Sequence, residues 1–164
     1  MKIAFLDRDG TINKDYPDQE WSAVKAPEIL DGAIGAMRYF LAAGYKIIIV
    51  TNQHTIGEGI ISLEDYHRFT ELLLDILKSH GIDVLDVLFC PHRSDEHCAC
   101  RKPEPGMIDA ACQKYPEIEM NRSFLVGDSV ADMDLAKNRG IDFYGIDLDC
   151  KNRINRLSDM IDIL

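Results

Sequence analysis

Short apolar runs of strand length alternate with segments of helical periodicity along the whole chain. Runs of this kind, without alternating polar residues, are typical of strands buried in a parallel sheet. The predicted strands are residues 3–6, 46–50, 84–89, 123–126 and 143–146. A chain that alternates strands and helices without repeats forms a sheet covered by helices on both faces. We therefore expect an α/β protein, a Rossmann-like three-layer sandwich with a central parallel sheet.

Several helix ends have recognisable sequence signals. Asp31 is the expected N-cap of the helix that follows the first strand, and Ser62 with Asp65 has the form of a capping box. A last helix is expected to begin near Ile154. The segments after the first two strands contain only loops, so we expect a single domain over residues 1–164 with no large cap domain.

Composition and charge exclude several classes of protein. The chain is 46% hydrophobic and 28% charged, as in ordinary soluble proteins. Its apolar stretches are only as long as strands and its start lacks a signal-peptide pattern, so we expect a cytoplasmic protein without membrane segments. The formal net charge of −10 opposes nucleic-acid binding, which requires clustered Lys and Arg residues. The oligomeric state does not follow from the sequence, and a monomer is the default expectation.

Acidic and polar residues follow the predicted strands at their carboxyl ends. They are Asp7 and Asp9 after the first strand, Thr51 and Asn52 after the second, and Asp128 and Asp132 after the fourth. The carboxyl ends of parallel strands meet at one edge of a sheet, so these residues should converge. Converging acids repel one another unless a cation lies between them, and oxygen ligands favour Mg²⁺. The alternative for Asp7 and Asp9 alone is an Asp-Gly turn beside a solvated acid.

Lys102 is the cation available to this group of acids. Most lysines are solvated surface residues, and that is the simpler alternative for Lys102 as well. Its position between Arg101 and Pro103 places it in a constrained segment, which makes a specific role more plausible. A metal ion and a lysine together would neutralise the charge on the three equatorial oxygens of a transferred phosphoryl group.

With these segments in this order, the chain resembles the haloacid dehalogenase superfamily of phosphohydrolases. The matching segments are Asp7-Arg8-Asp9-Gly10-Thr11, Thr51-Asn52, Lys102 and Gly127-Asp128-Ser129-Val130-Ala131-Asp132. The resemblance covers nearly the whole chain, and four motifs in order are specific although each alone is weak. It implies a phosphatase that acts through an aspartyl-phosphate.

The resemblance also implies a role for each matching residue. Asp7 would be the nucleophile, and Asp9 would protonate the leaving oxygen and then activate water. Mg²⁺ would be held by Asp7, the backbone carbonyl of Asp9, and Asp128. Thr51 and Lys102 would bind the phosphoryl oxygens.

Three further residues complete the implied site. Asn52 and Arg101 would contribute to substrate binding, and Asp132 would orient Lys102 or the metal ligands. Arg101 is expected to reach beyond the reacting phosphate, because a guanidinium makes bidentate contacts with a second phosphate or a pair of hydroxyls.

Three of the five cysteines lie close to a histidine. The pattern is Cys90-Pro91-His92, a five-residue gap, and Cys98-Ala99-Cys100. Four soft or borderline ligands this close together predict tetrahedral zinc in a reducing compartment better than disulfides. His97 is an alternative to His92, although the paired spacing favours His92. Four protein ligands leave no open position on the metal, so we expect a structural zinc ion that braces the loop before Lys102.

The cysteine loop narrows the resemblance to a capless subgroup that contains the D,D-heptose 1,7-bisphosphate phosphatases and the histidinol-phosphate phosphatases. The short gap between His92 and Cys98 is similar to the histidinol-phosphate branch, whereas segments 9–13 and 102–107 are more similar to the heptose branch. His54-Thr55 departs from the heptose pattern at a substrate loop. The resemblance implies D-glycero-D-manno-heptose 1,7-bisphosphate as substrate, with histidinol phosphate as the alternative.

Other classes of function are ranked lower. A phosphotransferase or mutase would need a cap that excludes water, and a non-catalytic binding protein would not need the full set of acids and lysine. A polynucleotide phosphatase is compatible with an open site but not with the acidic charge. A phosphomonoesterase that acts on a small phosphorylated metabolite is therefore the expected function.

Overall fold

The computed structural model describes all 164 residues, and its centre is one parallel sheet. The strands are β1 (Ile3–Leu6), β2 (Lys46–Asn52), β3 (Val84–Cys90), β4 (Phe124–Gly127), β5 (Asp142–Ile146) and β6 (Arg153–Ile154). Their order across the sheet is β3-β2-β1-β4-β5-β6, and every neighbouring pair is parallel. This order reverses direction beside β1, where open α/β sheets place their ligands.

Helices connect the strands and cover both faces of the sheet. The α-helices are α1 (Ala33–Ala42), the single-turn α2 (His54–Gly57), α3 (Leu63–Ser79), α4 (Gly106–Lys114) and α5 (Val130–Arg139). Short 3₁₀ helices lie at Asp18–Ala23, Ser94–Glu96, Met120–Arg122 and Leu157–Asp162. The chain between β1 and α1 contains only one of these 3₁₀ helices, and α2 is the only helix between β2 and α3.

The sheet separates two apolar cores. On one face, Leu6 and Ile49 pack with residues of α1 and α3 and with the carboxyl-terminal 3₁₀ helix. On the other face, Phe5 and Val50 pack with α4 and α5. Successive strand residues therefore point to opposite cores, as strand geometry requires. The prediction of a Rossmann-like sandwich with a central parallel sheet is confirmed.

All four residues of β1 are fully buried because the strand has neighbours on both sides and apolar layers above and below. Its register places Leu6 beside Ile49 of β2 and Val126 of β4. The next residue, Asp7, donates its backbone N–H to the carbonyl oxygen of Val126 at 2.9 Å. The chain therefore leaves the sheet with Asp7 at the centre of its carboxyl edge.

Two predictions about helix ends were wrong. The N-cap of α1 is Gly32, in the left-handed region at φ 80°, and the expected cap Asp31 instead pairs with Arg156 at 3.3 Å. Ile154 does not begin a helix, because it pairs with Ile146 as part of β6. The following turn is a 3₁₀ helix, and no α-helix forms at this end of the chain.

The capping box predicted at the start of the helix after residue 62 was confirmed. The hydroxyl of Ser62 accepts a hydrogen bond from the N–H of Asp65 at 3.0 Å, and the Asp65 carboxylate accepts one from the Ser62 N–H at 3.1 Å. This is the capping box expected at the start of α3. None of the helices has the length and apolar character needed to cross a membrane.

Candidate active site

A cleft of about 260 Å³ opens at the carboxyl edge of the sheet, above the ends of β1, β2 and β4. Its polar lining consists of Asp7, Asp9, Asp15, Asp18, Thr51, Asn52, Gln53, His54, Thr55, Arg101, Lys102, Asp128 and Ser129. The residues predicted for the phosphate and magnesium site therefore line one cleft, except Asp132, which lies fully buried beside it. The convergence follows from the parallel topology, since these residues lie at or just after the carboxyl ends of β1, β2 and β4 or within the loop after β3.

Lys102 lies at the centre of the site, and its side chain is 3% exposed. Its ammonium donates hydrogen bonds to Asp7 Oδ1 at 2.7 Å, to Asp132 Oδ1 at 2.6 Å and to the carbonyl oxygen of Val50 at 3.0 Å. The three donors of the lysine are thus all used, two of them on carboxylates. This arrangement contradicts the simpler alternative that Lys102 is a solvated surface residue.

The titration behaviour of the site reflects burial and a shortage of positive charge. Burial opposes the charge on Lys102, but the carboxylates of Asp7 and Asp132 outweigh it and raise the pKa of the ammonium. Burial raises the pKa of Asp7 well above its ordinary value, although Lys102 acts in the opposite direction. Burial, followed by repulsion from Asp132 and Asp15, raises the pKa of Asp128 to about 6. One lysine does not compensate the acids, and an additional cation would.

Asp132 is held in place by the beginning of α5. Ser129 caps this helix, and its hydroxyl donates to Asp132 Oδ2 at 2.5 Å while the other carboxylate oxygen accepts from Lys102. A side chain at Gly127 would lie 2.4 Å from the Asp132 carboxyl carbon, so only glycine leaves room for this carboxylate. Both oxygens of Asp132 are occupied by protein donors, and the residue is placed to orient Lys102 rather than to bind a metal directly.

Asp7 and Asp128 have the chemistry that a magnesium ion requires. Their carboxylate oxygens lie within 4.8 Å of each other and of Asp132, and both face the cleft. Gly10, at φ 85°, lets the Asp128 carboxylate approach, because a Cβ there would lie 1.9 Å from Asp128 Oδ2. Oxygen ligands from one or two carboxylates, with water and phosphate in the remaining positions, are typical of Mg²⁺ sites. The residues present therefore fit this ion.

Asp9 accepts four hydrogen bonds. Its Oδ1 accepts from Arg8 Nε and from Asn13 Nδ2, both at 2.8 Å. Its Oδ2 accepts from Arg8 Nη2 at 2.9 Å and from Gln53 Nε2 at 2.8 Å. Sequence reasoning missed Arg8, Asn13 and Gln53 as members of the site. The available signals were the cation between the two motif acids, for Arg8, and the polar residues at the end of the second predicted strand, for Gln53; the sequence has no such signal for Asn13.

The polar end of β2 aligns the loop that contains Lys102. The Asn52 side chain accepts from the backbone N–H of Lys102 at 2.9 Å and donates to the Lys102 carbonyl oxygen at 3.2 Å. The Asn52 amide therefore positions the backbone of Lys102. The predicted contact of Asn52 with substrate would be additional to this one. Thr51 is 1% exposed, and its hydroxyl accepts from Gln53 Nε2 at 2.9 Å.

Cys90, His92, Cys98 and Cys100 form a compact cluster whose ligand atoms all lie within 4.8 Å of one another. The sulfur of Cys90 is 3.5 Å from that of Cys98 and 3.0 Å from that of Cys100, and His92 Nδ1 is 3.2 Å from the Cys100 sulfur. A tetrahedron with zinc–sulfur bonds of about 2.3 Å has edges of about 3.8 Å. The donor set and its spacing fit zinc, and His97 lies outside the cluster.

The rim of the cleft is mixed in charge. Arg101 lines the cleft, and its Nη1 donates to the carbonyl oxygen of His92 at 3.4 Å, which connects the rim to the cysteine cluster. On the opposite side, His54 Nε2 lies 3.0 Å from Asp18 Oδ2. Asp15 accepts from the Trp21 indole at 3.3 Å, and burial raises the pKa of this carboxyl. Beyond the reacting centre, a ligand would meet one guanidinium and several acids.

Comparison with known sequences assigns a family to this arrangement. The family model described as polynucleotide kinase 3 phosphatase matches residues 2–155. The probable D-glycero-D-manno-heptose-1,7-bisphosphate 7-phosphatase of Thermoplasma acidophilum is 40% identical over 144 residues, which cover 87% of this chain and 88% of that protein. The histidine biosynthesis bifunctional protein HisB of Campylobacter jejuni subsp. doylei is 36% identical over 142 residues, which cover 86% of this chain and 40% of that protein.

Comparison with solved structures agrees on the fold. The crystal structure of D,D-heptose 1,7-bisphosphate phosphatase from B. bronchiseptica, complexed with magnesium and phosphate, has a TM-score of 0.87 and 24% sequence identity. The alignment covers 99% of this chain and 97% of that chain. The resemblance inferred from the four motifs is confirmed, and the chain is a phosphatase that belongs to the haloacid dehalogenase superfamily, in the family that includes the heptose-1,7-bisphosphate 7-phosphatases.

Proposed function

We propose that this phosphatase removes the 7-phosphate of D-glycero-D-manno-heptose 1,7-bisphosphate in a Mg²⁺-dependent reaction through an aspartyl-phosphate on Asp7. The observation that supports the substrate most directly is the 40% identity over 87% of the chain with a relative of that name. The proposal includes action as a single domain over residues 1–164, on a small molecule, as a monomer in the cytoplasm. Three free cysteines that cluster as metal ligands support a reducing compartment.

Asp7 is the proposed nucleophile because its carboxylate lines the cleft beside Lys102 and the proposed Mg²⁺ site, whose positive charges would bind a phosphate. Its Oδ1 is held by Lys102, and the carboxylate is 9% exposed, so it faces the cleft with little competing water. Attack by a carboxylate oxygen on phosphorus forms an acyl phosphate and expels the substrate oxygen. Lys102, with Thr51 beside it, is the proposed partner of the phosphoryl oxygens; its ammonium would exchange one of its three present contacts for them as charge develops.

Asp9 is the proposed general acid and base. The carboxylate that accepts four hydrogen bonds is the base form of Asp9; in the acid form, one oxygen carries a proton in place of the contact with Asn13 or Gln53. That proton passes to the leaving alkoxide oxygen in the first step, which completes the sugar hydroxyl. In the second step Asp9 takes a proton from a water molecule whose oxygen attacks the phosphorus. Inorganic phosphate then leaves and Asp7 regains its carboxylate. The Asp9 side chain is 15% exposed at the cleft, where it can give a proton to the leaving oxygen and take one from water.

Two metal ions belong to the proposal. Asp7, Asp128 and the backbone carbonyl of Asp9 would hold Mg²⁺, which would supply the positive charge that neutralises the transferred phosphoryl group. The cysteine cluster would hold zinc in a closed four-ligand site, which would fix the loop that presents Arg101 and Lys102. The support is the carboxylate and the cysteine–histidine spacing in the structure.

Arg101 is the proposed contact for the second phosphate of the bisphosphate. The other arginine of the cysteine loop, Arg93, is paired with Asp95 at 2.9 Å and does not line the cleft. Arg101 has only one weak backbone contact, so most of its donors are free to form bidentate contacts. A guanidinium at this position favours a substrate with two anionic groups.

Histidinol phosphate is the second candidate substrate, and the acidic rim favours it. Asp15 and Asp18 line the cleft, and the exposed Glu58 lies near Asp18 and His54. An ammonium group on the substrate would be attracted to these carboxylates, whereas a second phosphate would be repelled by them. The same alternative agrees with the similarity to a protein named for histidine biosynthesis, of which this chain covers 40%.

Steady-state kinetics on three substrates tests the proposal. We expect the highest kcat/KM with heptose 1,7-bisphosphate, lower values with histidinol phosphate, and negligible turnover of a 3′-phosphorylated oligonucleotide because of the acidic charge. The Arg101→Met variant should lose activity mainly on the bisphosphate, since the second phosphate loses its partner. A clear advantage of histidinol phosphate or of the oligonucleotide would reject the proposed substrate and leave the phosphatase chemistry intact.

A further inference from the structure

Arg8 lies between the two acids of the first motif and is among the most buried residues of the protein. It is 1% exposed, and its guanidinium lies over three aromatic rings. The distances from its central carbon to the ring centres are 5.7 Å for Trp21, 5.5 Å for Tyr66 and 4.7 Å for Phe69. We call these three rings the aromatic cage. A guanidinium enclosed in this way has one geometry available, because rings hold it by packing and cation–π attraction.

The fork of Arg8 is directed at a single target. Its Nε and Nη2 donate to the two oxygens of Asp9 at 2.8 and 2.9 Å, which is the bidentate arrangement of guanidinium and carboxylate. The remaining nitrogen, Nη1, is buried and has no hydrogen-bond partner. A buried arginine that leaves one donor unpaired is poorly explained by stability alone, since buried ion pairs are often replaceable by apolar residues without loss.

We propose that Arg8 is a positioning residue that fixes the Asp9 carboxylate for proton transfer to the leaving oxygen. This inference rests on the proposed general acid and base role of Asp9. The aromatic cage fixes the arginine, the arginine fixes both carboxylate oxygens, and the carboxylate can no longer rotate. Proton transfer requires donor and acceptor within hydrogen-bond reach, and small displacements cost large factors in rate.

Asn13 and Gln53 make the remaining contacts with Asp9, but neither can replace Arg8. Each donates one hydrogen bond, at 2.8 Å, to a different oxygen. Single donors allow a carboxylate to tilt about the contact, whereas a bidentate fork fixes its plane. Removal of Arg8 should therefore leave Asp9 in the cleft but poorly oriented.

The test compares substrates that differ in their need for a general acid. In Arg8→Met, an unbranched side chain fills the aromatic cage without the fork, and Asp9 keeps its contacts with Asn13 and Gln53, so the variant should still fold, with a melting temperature lowered by the loss of the ion pair. We expect kcat/KM to fall at least about tenfold more for an alkyl phosphate than for p-nitrophenyl phosphate, whose leaving group needs no proton. Arg122→Met, which removes an exposed ion pair with Glu119, is the control and should change neither the melting temperature nor kcat/KM on either substrate.

A double-variant cycle identifies the partner of Arg8. If Arg8 acts through Asp9, Arg8→Met combined with Asp9→Asn should lose no more alkyl-phosphate activity than Asp9→Asn alone. Arg8→Lys retains the buried charge and is the variant to use if Arg8→Met does not fold; it should show the same selective loss because an ammonium has no fork. Additive losses in the double variant, or equal losses on both substrates in Arg8→Met or Arg8→Lys, would overturn the inference. A lack of leaving-group selectivity in Asp9→Asn itself would instead reject the proposed role of Asp9.

Discussion

At the scale of single residues, the site depends on how Lys102 is shared. Its ammonium holds Asp7 and Asp132 at the same time, and both carboxylates lie in the protein interior. The contact with Asp132 fixes the ammonium, and the contact with Asp7 orients the proposed nucleophile towards the cleft. Buried charges of this kind are stable only as a complete set, because each desolvated ion needs its partner.

The role of Asp7 as nucleophile is tested by Asp7→Asn. The amide has nearly the same shape as the carboxylate but cannot attack phosphorus, so turnover should fall by about 10³-fold or more while the fold is retained. Phosphate release and circular dichroism measure the two effects. The exposed Asp75 of α3 provides the control, since Asp75→Asn removes the same charge far from the cleft. Retained activity in Asp7→Asn would contradict the proposed nucleophile.

The structural role of Lys102 is tested by Lys102→Met. This change leaves two buried carboxylates without their cation, so the free energy of unfolding should decrease by about 3–5 kcal/mol. Urea denaturation without added Mg²⁺ provides the measurement. The exposed Lys114 forms an ion pair with Asp86, which keeps a hydrogen bond from Tyr115 when the lysine is lost, so Lys114→Met should cost no more than about 1 kcal/mol. Similar losses in the two variants would show that the Lys102 contacts contribute little to stability.

At the scale of structural elements, the turn after β1 determines how closely Asp128, which follows β4, can approach the acids that follow β1. Gly10 lies in the left-handed region, and the absence of a side chain lets the Asp128 carboxylate lie against the turn. The same turn returns Asn13 to Asp9, since the N–H groups of Ile12 and Asn13 both donate to the carbonyl oxygen of Arg8. One tight turn therefore organises residues from two strands.

The turn is tested by the pair Gly10→Ala and Gly59→Ala. Both glycines have positive φ, so both substitutions should cost about 1–2 kcal/mol in backbone strain. Only the Cβ at Gly10 meets a neighbour, because nothing lies within 4 Å of a Cβ at Gly59. Gly10→Ala should therefore displace Asp128 and weaken Mg²⁺-dependent activity at least about tenfold, whereas Gly59→Ala retains it. Equal Mg²⁺ titrations for the two variants would contradict the proposed role of the turn.

At the scale of the whole molecule, the loop after β3 connects the cysteine cluster to the catalytic edge. The backbone N–H of Gly106, at the start of α4, donates to the carbonyl oxygen of Ala99 at 2.9 Å. Asn52 of β2 binds both backbone groups of Lys102. The cluster, the lysine and α4 are thus joined into one segment, and a metal in the cluster would stabilise the segment as a unit.

Loss of the proposed zinc should affect both stability and activity. We expect one zinc ion per chain in protein purified without chelator, and Cys100→Ser should lower the metal content, the melting temperature and the turnover together. Metal analysis and thermal unfolding are the measurements. Cys112 contacts Met120 and lies outside the cluster, so Cys112→Ser should retain the metal. Absence of zinc from the parent protein would remove this part of the proposal.

The sequence by itself determined the architecture and which residues after the strands converge on the cleft. Apolar runs long enough for strands, separated by helical segments, allow few arrangements other than a parallel sheet, and such a sheet brings residues after its strands to one edge. For that reason Asp7, Asp128 and Lys102 could be placed together although they are far apart in the chain. The capping box of Ser62 was equally predictable because its contacts span only three residues.

Only the tertiary structure decided which groups face each other. Gln53 reaches Asp9 across 44 positions in the sequence, and no local pattern encodes that contact. Ile154 is a strand residue because it pairs with the edge of β5. Asp31 is not the N-cap of α1 because Gly32, in the left-handed region, takes that position. The common reason is that propensity is local and weak, whereas pairing, burial and side-chain contacts depend on elements that meet only in the folded chain.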